Sequence, residues 1–188
     1  MLAGLLLAAA CTSGGKPSSS GQGTGSTAPA APAAPLNVKL VATAKVPPGG
    51  LSAKRAASRA APGLERFVDR YLNAAFVHAA GGETGWDGLL GLFDPPVRAS
   101  ARQQLNALSL GAAAPTVTAV RPSRASARAV VLYGGQGAEA ATVRVAFDAT
   151  ADTAKGSGQV HLRSVLQLLA TGDGWRIAGF DSRPGPPT

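Results

Sequence analysis

A chain of 188 residues with 24 Gly and 14 Pro has room for one domain plus tails rather than several domains. Its formal charge is +8, from 18 Lys and Arg against 10 Asp and Glu, so its electrostatic partners are anionic ones. A single cysteine excludes an internal disulfide framework, and two histidines far apart in sequence, with no His-x-x-x-His spacing, give no metal-ligand cluster.

Leu2 to Ala10 is an apolar run that ends in small residues immediately before Cys11. It is too short to span a bilayer, which takes about 20 apolar residues. It has the length of a signal-peptide apolar region, about 7–15 residues. Thr12 to Pro35 follows with Gly, Ser, Thr, Ala and Pro, no aromatic residue, and Lys16 as its one charge. Such a stretch cannot bury enough surface to offset the entropy of ordering it, and is expected to be a disordered spacer. Apolar run, small residues, Cys: this resembles the lipobox of bacterial lipoproteins. Two departures are visible, Ala8 where the family usually carries Leu and no basic residue before Leu2. The resemblance implies removal of residues 1–10, lipid attachment at Cys11, and a protein held at the extracytoplasmic face of the cell membrane. Implied export also argues against a nucleic-acid partner.

Residues 37–60 are expected to form a basic, partly ordered arm. Lys39, Lys45, Lys54, Arg55 and Arg59 precede Glu65 with no acid among them, a pattern suited to anionic lipid or an anionic wall polymer. Within the arm, Leu36 to Val46 alternates loosely and is a candidate short strand before the Pro47-Pro48-Gly49-Gly50 break.

The folded domain is expected over 61–183, with a disordered tail at 184–188. Leu64, Phe67, Val68, Tyr71, Leu72, Ala75, Phe76 and Ala79 predict an amphipathic helix from about Ala61 to Ala80, with Pro62 in its first turn and Gly81-Gly82 as its stop. Glu65 and Asp69 fall on the opposite face, beside Arg66 and Arg70. Trp86 to Phe93 reads as a short apolar turn or helix. Asp94 with Pro95 and Pro96 predicts the start of a helix lined by Val97, Ala101, Leu105 and Leu108 and ending at Gly111. Strands are expected at Thr116–Val120, Ser126–Tyr133, Ala140–Asp148, Gln159–Ala170 and Trp175–Asp181, separated by glycine-bearing turns. Helices followed by hairpin-linked strands make an α+β domain with an antiparallel sheet.

Helices followed by a meander that closes on Gly-Asp-Gly-Trp-Arg-Ile-Ala-Gly-Phe-Asp, residues 172 to 181, resemble the NTF2-like (cystatin-like) superfamily, which includes small exported actinobacterial-type lipoproteins and Mce-associated proteins. The resemblance spans roughly Pro62 to Arg183. It implies a cone of N-terminal helices packed on a curved antiparallel sheet, with the Trp175 ring packed into the sheet.

Chemistry-bearing residues are sparse. His161 alternates with Val160 and Leu162, which turns it away from their face, and His78 sits near the end of the first helix, where a cation is favoured. Asp181 closes the last strand and suits an ion pair. Neither a phosphate loop nor a Gly-x-Ser-x-Gly nucleophile motif occurs. No catalytic residue, metal site or cofactor is expected. Tyr71, Trp86, Phe93 and Trp175 are candidates for lining either the core or a pocket. The expectation is a non-catalytic, lipid-anchored envelope protein that binds a protein partner, a lipid or a small apolar ligand, or that forms a homodimer. The alternatives are a small isomerase- or hydrolase-type enzyme, and an accessory subunit of an envelope transport or wall-synthesis complex.

Overall fold

The structure, a computed structural model, describes residues 36–78 and 86–184. The expected signal segment 1–10, Cys11, the spacer to Pro35, the Gly81-Gly82 stop and the tail from 185 onward lie outside the described residues.

The chain is α+β. Strand β1 (Lys39–Lys45) leads into α1 (Ala53–Leu72), which passes into a π-helical turn at Asn73–Val77. Then come α2 (Trp86–Leu90), a 3-10 turn (Pro95–Val97), α3 (Arg98–Gln103), α4 (Leu105–Leu108) and a second 3-10 stretch (Gly111–Thr116). Four long strands finish the domain: β2 (Val117–Gly134), β3 (Gly137–Thr153), β4 (Gly156–Thr171) and β5 (Gly174–Pro184). With β1 they form one open five-stranded sheet in the order β1-β2-β3-β4-β5.

The sheet is mixed rather than wholly antiparallel. β2 to β5 are antiparallel, but β1 pairs parallel to β2, with Lys39 beside Ser126 and Lys45 beside Leu132. A parallel pair needs a long crossover. Here that crossover contains every helix of the described residues, so the helices gather on one face of the sheet. The remaining strands are joined by two-residue turns, so among the described residues no connection covers the other face. Gly156 and Gly174 open the outgoing strands of two of these hairpins at φ +133° and +124°, a backbone conformation that a side chain would strain.

Helix α1 starts eight residues before the expected Ala61. Ser52 caps it by accepting the Arg55 N–H at 3.4 Å, and Ala56, Ala57 and Ala60 extend the buried stripe of Leu64, Phe67, Val68 and Tyr71 backward. Pro62 is therefore inside the helix, at an exposed position, rather than in its first turn. Alanine provides the reason: Ala53, Ala57 and Ala61 of α1 border one shallow hollow with Ala42 and Ala44 of β1, and small side chains on both sides give weak apolar contrast in the sequence. Two further contacts hold this edge. The Asp69 carboxylate accepts the Leu36 N–H at 2.7 Å, and the Tyr133 hydroxyl donates to the Ala56 carbonyl at 2.8 Å. Asp69 is thus a backbone tie and not a partner of Arg66 or Arg70.

The helix expected from Asp94 to Gly111 is broken into the first 3-10 turn, α3 and α4. Asp94 occupies the cap position without a side-chain cap bond. The segment just before it joins the sheet instead: Asp94 N–H donates to Ile177 O at 2.8 Å, and Ile177 N–H to Leu92 O at 2.9 Å. These bonds cover part of the free edge of β5. The two expected strands at 116–120 and 126–133 are one strand with a bulge between Pro122 and Arg124. Pro122 is tolerated because β1 pairs only with residues 126–132, so at Pro122 the strand is a sheet edge.

The core lies between the helices and the inward rows of the sheet. Phe67, Tyr71, Phe76, Phe93 and Phe147 are buried with Leu64, Leu89, Leu108, Leu162, Leu166 and Leu168. Phe76 and Phe147 meet at 4.9 Å between ring centroids, and Phe93 meets Phe180 edge-on at 5.5 Å.

Candidate functional site

Strand alternation sends odd-numbered β3 residues into the core and even-numbered ones outward, and the register then fixes who stands beside whom. One outward row reads Val41, Arg128, Arg144, Val165, Asp181 across the five strands. The next reads Lys39, Ser126, Ala146, Arg163, Arg183, and a third Arg124, Asp148, His161. Residues far apart in the chain thereby converge on one open hollow of about 460 Å³, bordered by Arg124, Arg128, Arg144, Arg163, Arg183 and Asp181. Small residues stand at its centre, Ser126 opposite Ala146, so the longer arginines rise around them.

Five arginines share this face with two carboxylates, Asp148 and Asp181. Arg163 is held in place: its guanidinium meets Asp148 at 2.8 Å and donates to the Leu162 carbonyl at 2.8 Å. Asp148 also meets the Nδ1 of His161 at 2.8 Å. Burial alone would raise the Asp148 carboxyl, but hydrogen bonds and charge from Arg163 and His161 outweigh it and hold the carboxyl below the usual carboxylate range. A carboxyl held low stabilises the fold above the unfolded aspartate value of about 4, and that contribution is lost as the pH falls through the folded one. Arg183 lies 3.7 Å from Asp181, an exposed pair. Among the described residues, Arg124, Arg128 and Arg144 have no carboxylate within ion-pair distance.

Arg128 and Arg144 stand directly opposite each other on adjacent antiparallel strands. Like charges so placed destabilise a sheet, by roughly 0.2–1 kcal/mol. Arg144→Gln is therefore expected to raise the thermal midpoint in low salt, with the gain shrinking as salt is added. An unchanged or lowered midpoint at low salt would mean that the two guanidinium groups do not repel.

The four candidate lining residues do not come together in one pocket. Tyr71 is fully buried, and its hydroxyl donates to the Leu108 carbonyl at 3.2 Å. Phe93 is buried against Phe180. Trp86 is half-buried and borders a separate hollow of about 280 Å³ with Arg102, Leu105 and Asn106. Trp175 is half-buried, and its indole nitrogen lies close to Gly63 of α1, where an added Cβ would come within 3.3 Å of it. The ring thus lies against the helix. Asp181 is on the outward face beside the hollow, and His78 is exposed at the end of the π turn. Among the described residues, no group of three or more His, Cys, Asp or Glu could hold a metal, and no helix is long and apolar enough to cross a membrane.

The arginine hollow is not legible in the sequence. Arg144 and Arg163 are recognisable there as outward members of alternating strands, but their neighbours depend on register. The available signal is the row Arg121, Arg124, Arg128 in β2, three cations without an acid between them. No protein-family model, curated protein or solved structure matches the chain.

Proposed function

We propose that this chain is a lipid-anchored cell-envelope protein, tethered through Cys11, whose NTF2-like domain binds a partner and does not catalyse a reaction. The anchor rests on the apolar run, small residues and Cys11 followed by a spacer unable to fold. The NTF2-like assignment rests on the helices preceding a hairpin-linked meander that closes at Gly172-Asp173-Gly174-Trp175. The observation that carries the binding reading is the distribution of side chains across the sheet. One face is filled by Phe67, Tyr71, Phe76, Phe147 and the leucines, while the other collects arginines around an open hollow. The centre of the domain is filled by these side chains, and the hollows between helices and sheet, about 220 Å³ beside Phe76 and His161 and about 390 Å³ beside Arg66 and Trp175, lie at its margins. An open cationic face suits recognition of an anion.

Metabolic labelling with an alkyne fatty acid tests the anchor. Label is expected on the wild-type protein and absent from Cys11→Ser. Equal label in both would end the lipoprotein reading.

A further inference from the structure

We propose that the open sheet face is a docking surface for an anionic lipid bilayer, with lipid phosphates taken into the arginine hollow. This rests on the reading of that face as a binding surface and names its partner. The face has two halves. Along β2 the outward side chains run Arg124, Ser126, Arg128, Val130, Leu132, from cationic to apolar within one strand. The apolar half continues sideways, with Val41 beside Arg128 and Leu169 in the row of Leu132. Val41, Val130, Leu132 and Leu169 are 63%, 41%, 47% and 45% exposed, and they are the exposed large hydrophobic residues of the described chain. All of them lie on the face that carries the hollow.

That combination selects among occupants. A second copy would set five arginines against five, which repel. A soluble polyanion would use the arginines and leave the apolar side chains in water. The surface of an anionic bilayer uses both: phosphates accept the guanidinium forks, and the valines and leucines enter the boundary between headgroups and acyl chains. Lys39 and Lys45, exposed on the outward side of β1, add two cations at the rim. The expected basic arm therefore divides. Its two strand lysines join this face, whereas Lys54, Arg55 and Arg59 are exposed on α1.

The test uses the full chain carrying Cys11→Ser, so that no acyl anchor contributes, and compares co-sedimentation with vesicles of pure phosphatidylcholine and of equal parts phosphatidylcholine and phosphatidylglycerol. Binding is expected to the mixed vesicles only and to weaken with salt. Each cation near an anionic leaflet contributes about fivefold, so Arg128→Gln with Arg144→Gln is expected to lower the affinity on the order of 25-fold. Lys54→Gln with Arg55→Gln, on the helix, is expected to change it by less than about twofold, because those side chains face away from the surface. Leu132→Ser with Leu169→Ser is expected to weaken vesicle binding while leaving binding of soluble polyphosphate unchanged. Far-UV circular dichroism confirms that each variant is folded. Equal binding to both vesicle types, or equal losses from the two cation pairs, would overturn the proposal. If polyphosphate binds while the mixed vesicles do not, the bilayer is the wrong partner and the anion-binding face stands. If neither binds, both readings fall.

Discussion

Phe147→Ala is expected to lower the unfolding free energy by about 3–5 kcal/mol. Phe147 is fully buried on β3, with Ala125 of β2 on one side and Leu162 of β4 on the other. Its ring lies against Phe76 of the π turn, so the side chain joins the central strand to the helical layer. Strands on both sides hold the backbone where it is, and the cavity cannot close by collapse. Single domains are stable by about 5–15 kcal/mol, so the variant would be partly unfolded at modest denaturant. Urea unfolding of the Cys11→Ser protein measures it, as a lowered midpoint with an unchanged slope. Phe147→Leu should lose much less. A loss below about 1 kcal/mol for Phe147→Ala would mean that the site repacks, and that the core is not built around this ring.

Tyr71→Phe is expected to cost about 2 kcal/mol, for a different reason. The phenol is fully buried in α1 and donates to the Leu108 carbonyl of α4. Removing the hydroxyl leaves that carbonyl without its donor, and leaves a gap next to Ser164 and Ser182. Those two serine hydroxyls, hydrogen-bonded to each other across β4 and β5, interact with the phenol. Burial pushes the Tyr71 phenol well above its ordinary value of 10.0, and the serine contacts pull it only partly back. The sign follows directly. Below pH 10 the phenol is protonated in both folded and unfolded chains and gives no pH dependence. Above it the unfolded chain ionises first, so stability falls as the pH rises toward the folded value, by up to about 1.4 kcal/mol per pH unit. Unfolding curves between neutral and strongly alkaline pH should show this slope in the wild type and a shallower one in Tyr71→Phe. Parallel slopes would place the ionisation elsewhere.

The two predictions draw on features of unequal visibility in the sequence. Val143, Val145 and Phe147 alternate with Thr142, Arg144 and Ala146, so the buried side of β3 can be read directly. Ser164 breaks the same kind of pattern in β4. It falls at an inward position between Leu162 and Leu166, and only the approach of Ser182 and Tyr71 explains a buried hydroxyl there. Local patterning reports which way a residue faces, not what waits on that side.

Helix α1 makes the same point. Its second half carries large apolar residues at helical spacing and is legible. Its first half is alanine and basic residues, and its buried stripe is alanine alone, which carries little of the apolar signal that larger side chains give. What makes Ala56, Ala57 and Ala60 a buried stripe is the approach of β1. The strand itself was visible as a candidate at Leu36–Val46, but its parallel pairing was not, because alternation does not encode the direction of a partner.

By itself the sequence determined the α+β class, the last three strands with the glycine-bearing turns between them, the excess of positive charge and the pattern around Cys11, since each depends on residues close together in the chain, while it divided β2 into two strands. The tertiary structure alone decided the mixed sheet, the filled interior and the arginine hollow. Arg124, Arg144, Arg163 and Arg183 come from four different strands, and strand order and register, set by long-range pairing and core packing, bring their charges to one place.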